Sequence, residues 1–154
     1  MSAATDPRPN EWPGRRLGLP EAGPRSVGRF GRRLVAILID WTVAYVISLA
    51  FFPTPVDPEL YEALGGAAGL FGTDSFITLG IFAVLQILFL LVVNGSLGHV
   101  IVRLRVVPVR GGYLGPWRPV VRTLLLCLAI PALIWDRDQR GLHDKAAGTV
   151  LVRV

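Results

Sequence analysis

The chain has 154 residues, enough for one domain. Hydrophobic residues make up 52% of it and charged residues 18%, with a mean hydropathy of +0.52. That is too apolar for a soluble domain, in which about 25% of residues are charged. The net charge of +5 comes from arginines gathered beside apolar runs, with Lys145 the single lysine. No aromatic-and-basic stripe, metal-finger spacing or helix-turn-helix pattern accompanies them, which excludes nucleic acid as a partner. Cys127 is alone and lies in an apolar run, so no intramolecular disulfide can form and a buried thiol is expected.

Residues 1–28 carry Pro7, Pro9, Pro13, Pro20 and Pro24 among Gly and Arg, and read as a disordered cytoplasmic tail. Arg32-Arg33 precedes the first apolar run, yet the Asp inside that run and the lack of a small-residue cleavage pattern argue against an export signal. The run Leu34–Phe52 holds 19 residues and one charge, Asp40. At ~1.5 Å per residue it extends about 28 Å, close to the hydrocarbon thickness of a bilayer. Pro53 and Pro55 end it. The loop 53–75 holds Asp57, Glu59, Glu62 and Asp74 and no basic residue, with a short helix expected over 60–68. The second run, Phe76–Val93, is uncharged, with Gln86 its one polar residue near the middle.

Residues 94–118 are basic, with Arg103, Arg105, Arg110 and Arg118 and no acid. Val102, Leu104 and Val106 alternate with Arg103 and Arg105, which predicts a strand within 100–109 before the Gly111-Gly112 turn. The third apolar run, 119–135, starts with Arg122 near its head and contains Pro131. Its uncharged part is 13 residues, the length of a re-entrant or interfacial helix. The final stretch, 149–154, is again strand-like. The expected architecture is therefore an all-α membrane domain over 29–154. It has two spans, about 34–52 and 76–93, a third short Pro-containing membrane helix at about 119–135, and a small cytoplasmic β element from 100–109 and 149–154.

Basic residues stay on the cytoplasmic side of a membrane. Arg25, Arg29, Arg32 and Arg33 flank the first span, the first loop has none, and the second loop has four. This predicts a cytoplasmic amino terminus in a multi-pass protein of the cell membrane. The carboxyl tail, with Arg137, Arg140, Lys145 and Arg153, prefers the same side, which it keeps if the third run re-enters or lies at the interface, whereas a full third span puts it outside. The first reading is favoured, since the two strands can pair only if both lie on one side.

A carboxylate inside a bilayer costs at least ~2.5–3.5 kcal/mol and faces the protein interior or a partner. Arg33 and Asp40 share one helix face, about 10.5 Å apart along the axis. Gln86 sits ~12 Å from the cytoplasmic end of the antiparallel second span, near the depth of Asp40. Arg122 enters from the same side. The four residues Arg33, Asp40, Gln86 and Arg122 are expected to form one intramembrane polar cluster, serving either helix assembly or a proton or ion path. His99 and His143 read as solvated or headgroup-contacting, and Asp136, Asp138 and Asp144 as partners of Arg137, Arg140 and Lys145. No metal or cofactor motif is present, and Gly95 and Gly98 lack phosphate-loop spacing.

Several of these segments resemble the RDD family of membrane proteins, named for one Arg and two Asp. Arg33, Ala36 and Asp40 match its opening pattern of Arg, Ala and Asp. Asn94-Gly95-Ser96-Leu97-Gly98-His99 is similar to its G-x-T-x-G-K stretch, with Asn, Ser and His as departures, and an LRVV follows at 104–107. Arg122 looks like the Arg that opens the later helix. Leu142, His143, Asp144, Gly148 and Thr149 resemble the closing L-H-D-x-x-x-G-T-x-V, which makes Asp144 the second named Asp. The resemblance implies a topology but no substrate. With no nucleophile–base pair, an enzyme is the least supported class. A transport component for an ion, proton or small solute is expected, or else an accessory subunit binding anionic lipid headgroups or a partner, in either case as a homo-oligomer or with another membrane protein.

Overall fold

A computed structural model describes residues 12–128 and 140–154. Two long helices dominate it, α1 (Phe30–Phe51) and α3 (Ser75–Val93). Both are long and apolar enough to cross a membrane, and only 22% of the most apolar window of each is buried. The buried residues of α1 are Arg33, Ala36, Asp40, Ala44 and Ser48, a stripe repeating every three or four positions. Those of α3 are Thr78, Phe82, Gln86 and Leu90, spaced by four. Small residues on α1 let the two backbones approach, as in membrane helix pairs. Trp41 stacks on Phe82 with ring centroids 4.7 Å apart, and the Thr78 hydroxyl donates to Ser48 Oγ at 3.0 Å. The outward faces carry Leu34, Val35, Leu38, Val46, Phe76, Val84, Leu88 and Val92, all exposed. Such a surface suits hydrocarbon and not water.

The loop between the spans is fixed by caps at each helix start. Asp57 caps α2 (Pro58–Leu64), accepting from Glu59 N–H at 2.8 Å, and a 3-10 segment, Gly65–Phe71, follows. Asp74 accepts from Phe76 and Ile77 N–H at 2.8 and 3.0 Å and starts α3. These acids satisfy amide donors that a helix start leaves open.

After α3, Asn94 takes a left-handed conformation (φ 55°) and turns the chain into α4 (Leu97–Ile101). Then come β1 (Leu104–Pro108), α5 (Trp117–Cys127), α6 (Leu142–Ala146) and β2 (Thr149–Arg153). The expected strands pair antiparallel, Leu104 opposite Arg153 through Pro108 opposite Thr149. The strand is shorter than expected because residues 97–101 form a helix: Ser96 and His99 cap it reciprocally, which outweighs the β-branched composition. The third apolar run is helical from Trp117 to Cys127, and residues 129–135 of it lie outside the described residues.

Residues 1–11 of the expected disordered tail also lie outside the described residues. The described part, residues 12–28, departs from that expectation: Arg15–Leu17 form a 3-10 turn, Trp12 Nε1 donates to Leu19 O at 2.9 Å, and residues 25–28 pair with the sheet. There Arg25 N–H donates to Arg153 O (2.8 Å), Gly28 N–H donates to Leu151 O (2.8 Å), and Val27 forms a bridge with Val152. The far edge of β2 would otherwise leave its backbone donors and acceptors open, and this segment satisfies them. Val27, Val150 and Val152 make one apolar cluster, and Leu90, Leu104, Val106, Leu114 and Leu151 make another, joining the sheet to the end of α3.

Candidate functional site

The polar residues inside this frame form two adjoining networks. The first surrounds Asp40, nearly three turns into α1 and 7% exposed. Gln86 Nε2 donates to Asp40 Oδ2 at 2.8 Å, and the Gly98 backbone N–H donates to Oδ1 at 2.7 Å. Ser96 Oγ lies 2.5 Å from Oδ2. Gly98 reaches this position because it has no side chain: a Cβ there would lie 2.0 Å from the Ala36 carbonyl oxygen. Ala36 and Gly98, known so far only as motif positions, thus form the backbone contact that aims an amide at Asp40. Ser96 Oγ also lies 2.6 Å from His99 Nδ1, and Ser96 N–H donates to that nitrogen at 3.0 Å.

The second network centres on Asp144, which is fully buried. Arg33 Nη1 donates to Oδ2 at 2.9 Å and Arg122 Nε to Oδ1 at 2.6 Å. His143 Nε2 lies 3.6 Å from Oδ1. Arg33 Nε donates to Gly28 O at 2.8 Å, and the Thr149 hydroxyl donates to Asp144 O at 3.2 Å. Gly148, at φ 64°, makes the turn into β2 that brings Thr149 there. Burial would raise the Asp144 carboxyl, but Arg122, His143 and Arg33 outweigh it and hold the group well below the usual carboxylate range.

All four residues of the expected cluster line one cavity of about 180 Å³, with His99, His143 and the apolar Phe30, Leu34, Ile37, Leu126 and Leu151. Their pairing differs from the expectation. Arg33 and Arg122 are committed to Asp144, not Asp40, while Gln86 does meet Asp40. Asp144 in turn pairs with these two arginines in place of its sequence neighbours, because α6 turns inward beneath α5; Asp136, Arg137 and Asp138 lie outside the described residues. His99 and His143 are buried instead of solvated, the first as a helix cap and the second beside Asp144. Burial, then the charge of Arg122, keeps His99 well below its ordinary value, so the ring is neutral. Among the described residues, no group of His, Cys, Asp and Glu could hold a metal.

The family model described as RDD family matches residues 27–148. The chain belongs to the RDD family. The matched span contains Arg33, Asp40 and Asp144, and Arg33 with Asp144 forms an ion pair within it. RDD proteins are membrane proteins of unassigned activity, which agrees with the two helices of spanning length. Neither a curated protein nor a solved structure gives a match.

Proposed function

We propose that this RDD protein is a transport component of the cell membrane, moving a proton, an ion or a small solute, with Asp40 as its protonatable group. The observation that carries the reading is a division of labour. Two buried arginines neutralise Asp144, while Asp40 has no ion pair among the described residues and is held by neutral donors beside a cavity. A carboxyl group kept at that depth without an ion pair is costly for structure alone and suits a group that gains and loses a proton. Two spans enclose no aqueous path by themselves, so the working unit is an oligomer or includes another membrane protein. The amino terminus is cytoplasmic, in keeping with the basic flank, and the carboxyl strand lies on the same side, in keeping with its pairing to β1 and to Val27. Asp40→Asn in proteoliposomes is expected to abolish substrate-coupled flux with the protein level in the membrane unchanged. Unchanged flux refutes the reading.

A second reading draws on the Asp144 network, which ties α1, α5 and α6 together. Here the polar residues serve assembly alone, in an accessory subunit whose basic cytoplasmic face binds anionic lipid headgroups. Loss of the protein from the membrane in Asp40→Ala, restored by Asp40→Leu, favours it.

A further inference from the structure

The contacts around Ser96 fix where protons must be. Its hydroxyl oxygen lies 2.5 Å from Asp40 Oδ2 and 2.6 Å from His99 Nδ1, and it accepts the His99 backbone N–H at 3.2 Å. Each of the two short contacts joins atoms that repel through their lone pairs unless a proton lies between them. Two contacts need two protons, and the hydroxyl supplies one. The second cannot sit on His99 Nδ1, because Ser96 N–H donates to that nitrogen at 3.0 Å and so requires its lone pair. The hydroxyl proton therefore points at Nδ1, and the remaining proton belongs to the carboxyl group.

We propose that Asp40 is held as a carboxylic acid, donating its proton to Ser96 Oγ, while the Ser96 hydroxyl donates to His99 Nδ1, so that the three residues form a loaded proton relay. In this state Ser96 Oγ uses its whole capacity: it accepts from Asp40 and from His99 N–H, and donates once. Release is balanced along the chain. Release needs Ser96 N–H to let go of Nδ1; the Asp40 proton then passes to Oγ, the hydroxyl proton passes to Nδ1, and the imidazole gives up its Nε2 proton to the cavity that His99 lines. One proton leaves and none is created. The cavity suits a receiving water: it is roomy enough for several, and the buried Arg122 Nη1 and Gln86 Oε1 have no hydrogen-bond partner among the described residues. Charged or titratable groups face the relay from each packed element: Arg33 on α1, Arg122 on α5, and His143 and Asp144 on α6; α3 contributes neutral Gln86. The two arginines disfavour a positive His99, so the proton does not rest on the imidazole as a second one.

The relay deepens the transport reading by naming the proton as a carried species, and it rests on that reading only for its purpose. The test is infrared spectroscopy of the full-length protein in liposomes near neutral pH, with aspartate carrying ¹³C in its side-chain carboxyl. A protonated-carboxyl band that moves in D₂O and disappears in Asp40→Asn is expected. Ser96→Thr should keep it. In His99→Phe the hydroxyl is free to turn onto Asp40, so the band should be lost near neutral pH and return on acidification. A folded wild-type protein without the band, or a band unmoved by His99→Phe, overturns the relay. Proton-coupled flux measured on the same liposomes separates the two ideas: flux without the band sinks the relay alone, and the band without flux sinks the transport reading alone.

Discussion

Asp144 gives the sharpest test of what holds this domain together. Its carboxylate is fully buried between Arg33, 7% exposed, and Arg122, 2% exposed, at 2.9 and 2.6 Å. Asp144→Asn keeps the volume and one acceptor but removes the charge that both guanidiniums share. Breaking a buried ion pair by removing one partner costs about 3–5 kcal/mol, because the remaining charge stays desolvated. At about 1.4 kcal/mol per factor of ten, the folding constant should fall by roughly two to three and a half powers of ten. Equilibrium unfolding of the detergent-solubilised protein, followed by tryptophan fluorescence, measures this. Adding Arg122→Met to Asp144→Asn should recover part of the loss, since an apolar side chain has no charge to desolvate. A cost for Asp144→Asn below about 1 kcal/mol, or a double variant no better than the single, refutes the account of Asp144 as the shared counter-charge.

Gly98→Ala should cost about 1–3 kcal/mol as overpacking against the Ala36 backbone, and should loosen the amide held on Asp40; the hydrogen-exchange rate of that backbone amide, compared between the wild type and the variant, reads the second effect. Val27→Ala should destabilise by roughly 1.5–2.5 kcal/mol through the lost apolar contact with Val150 and Val152, read by thermal unfolding. Acid sensitivity should come in two stages. The unfolded chain protonates His99 near 6.5 while the folded chain does not, so the stability this gives is present above that value and falls as pH drops below it. Asp144 contributes stability that is present above its ordinary value of 3.8 and is lost only as pH falls below that. Denaturant titrations across pH should show both stages in the wild type, and His99→Gln should remove the first and leave the second.

The two spans were legible because apolar runs of bilayer length have few other uses. The β pair was legible from alternation. Asp40 meeting Gln86 followed from counting helix turns at equal depth. Partner choice was not legible for the arginines. Depth places Arg33 near both aspartates, and only the fold brings Asp144, 111 positions away, to Arg33. His99 misled because a basic loop makes a histidine look solvated, while its position three after Ser96 is also that of a capping-box partner. Gly98 could have been found from the same stretch, had its lack of a side chain been weighed as room for a neighbouring helix.

The pairing of Arg33 with Asp144 also bears on how the domain is made. At a synthesis rate of about 5–20 residues per second, roughly 5–20 s separate the two residues emerging from the ribosome. During that interval α1 and α3 can already insert, yet Asp144 does not exist to join them. The nascent protein therefore passes through a stage in which its membrane hairpin is complete and its electrostatic keystone is missing, a stage at which membrane quality control could tell unfinished chains from finished ones.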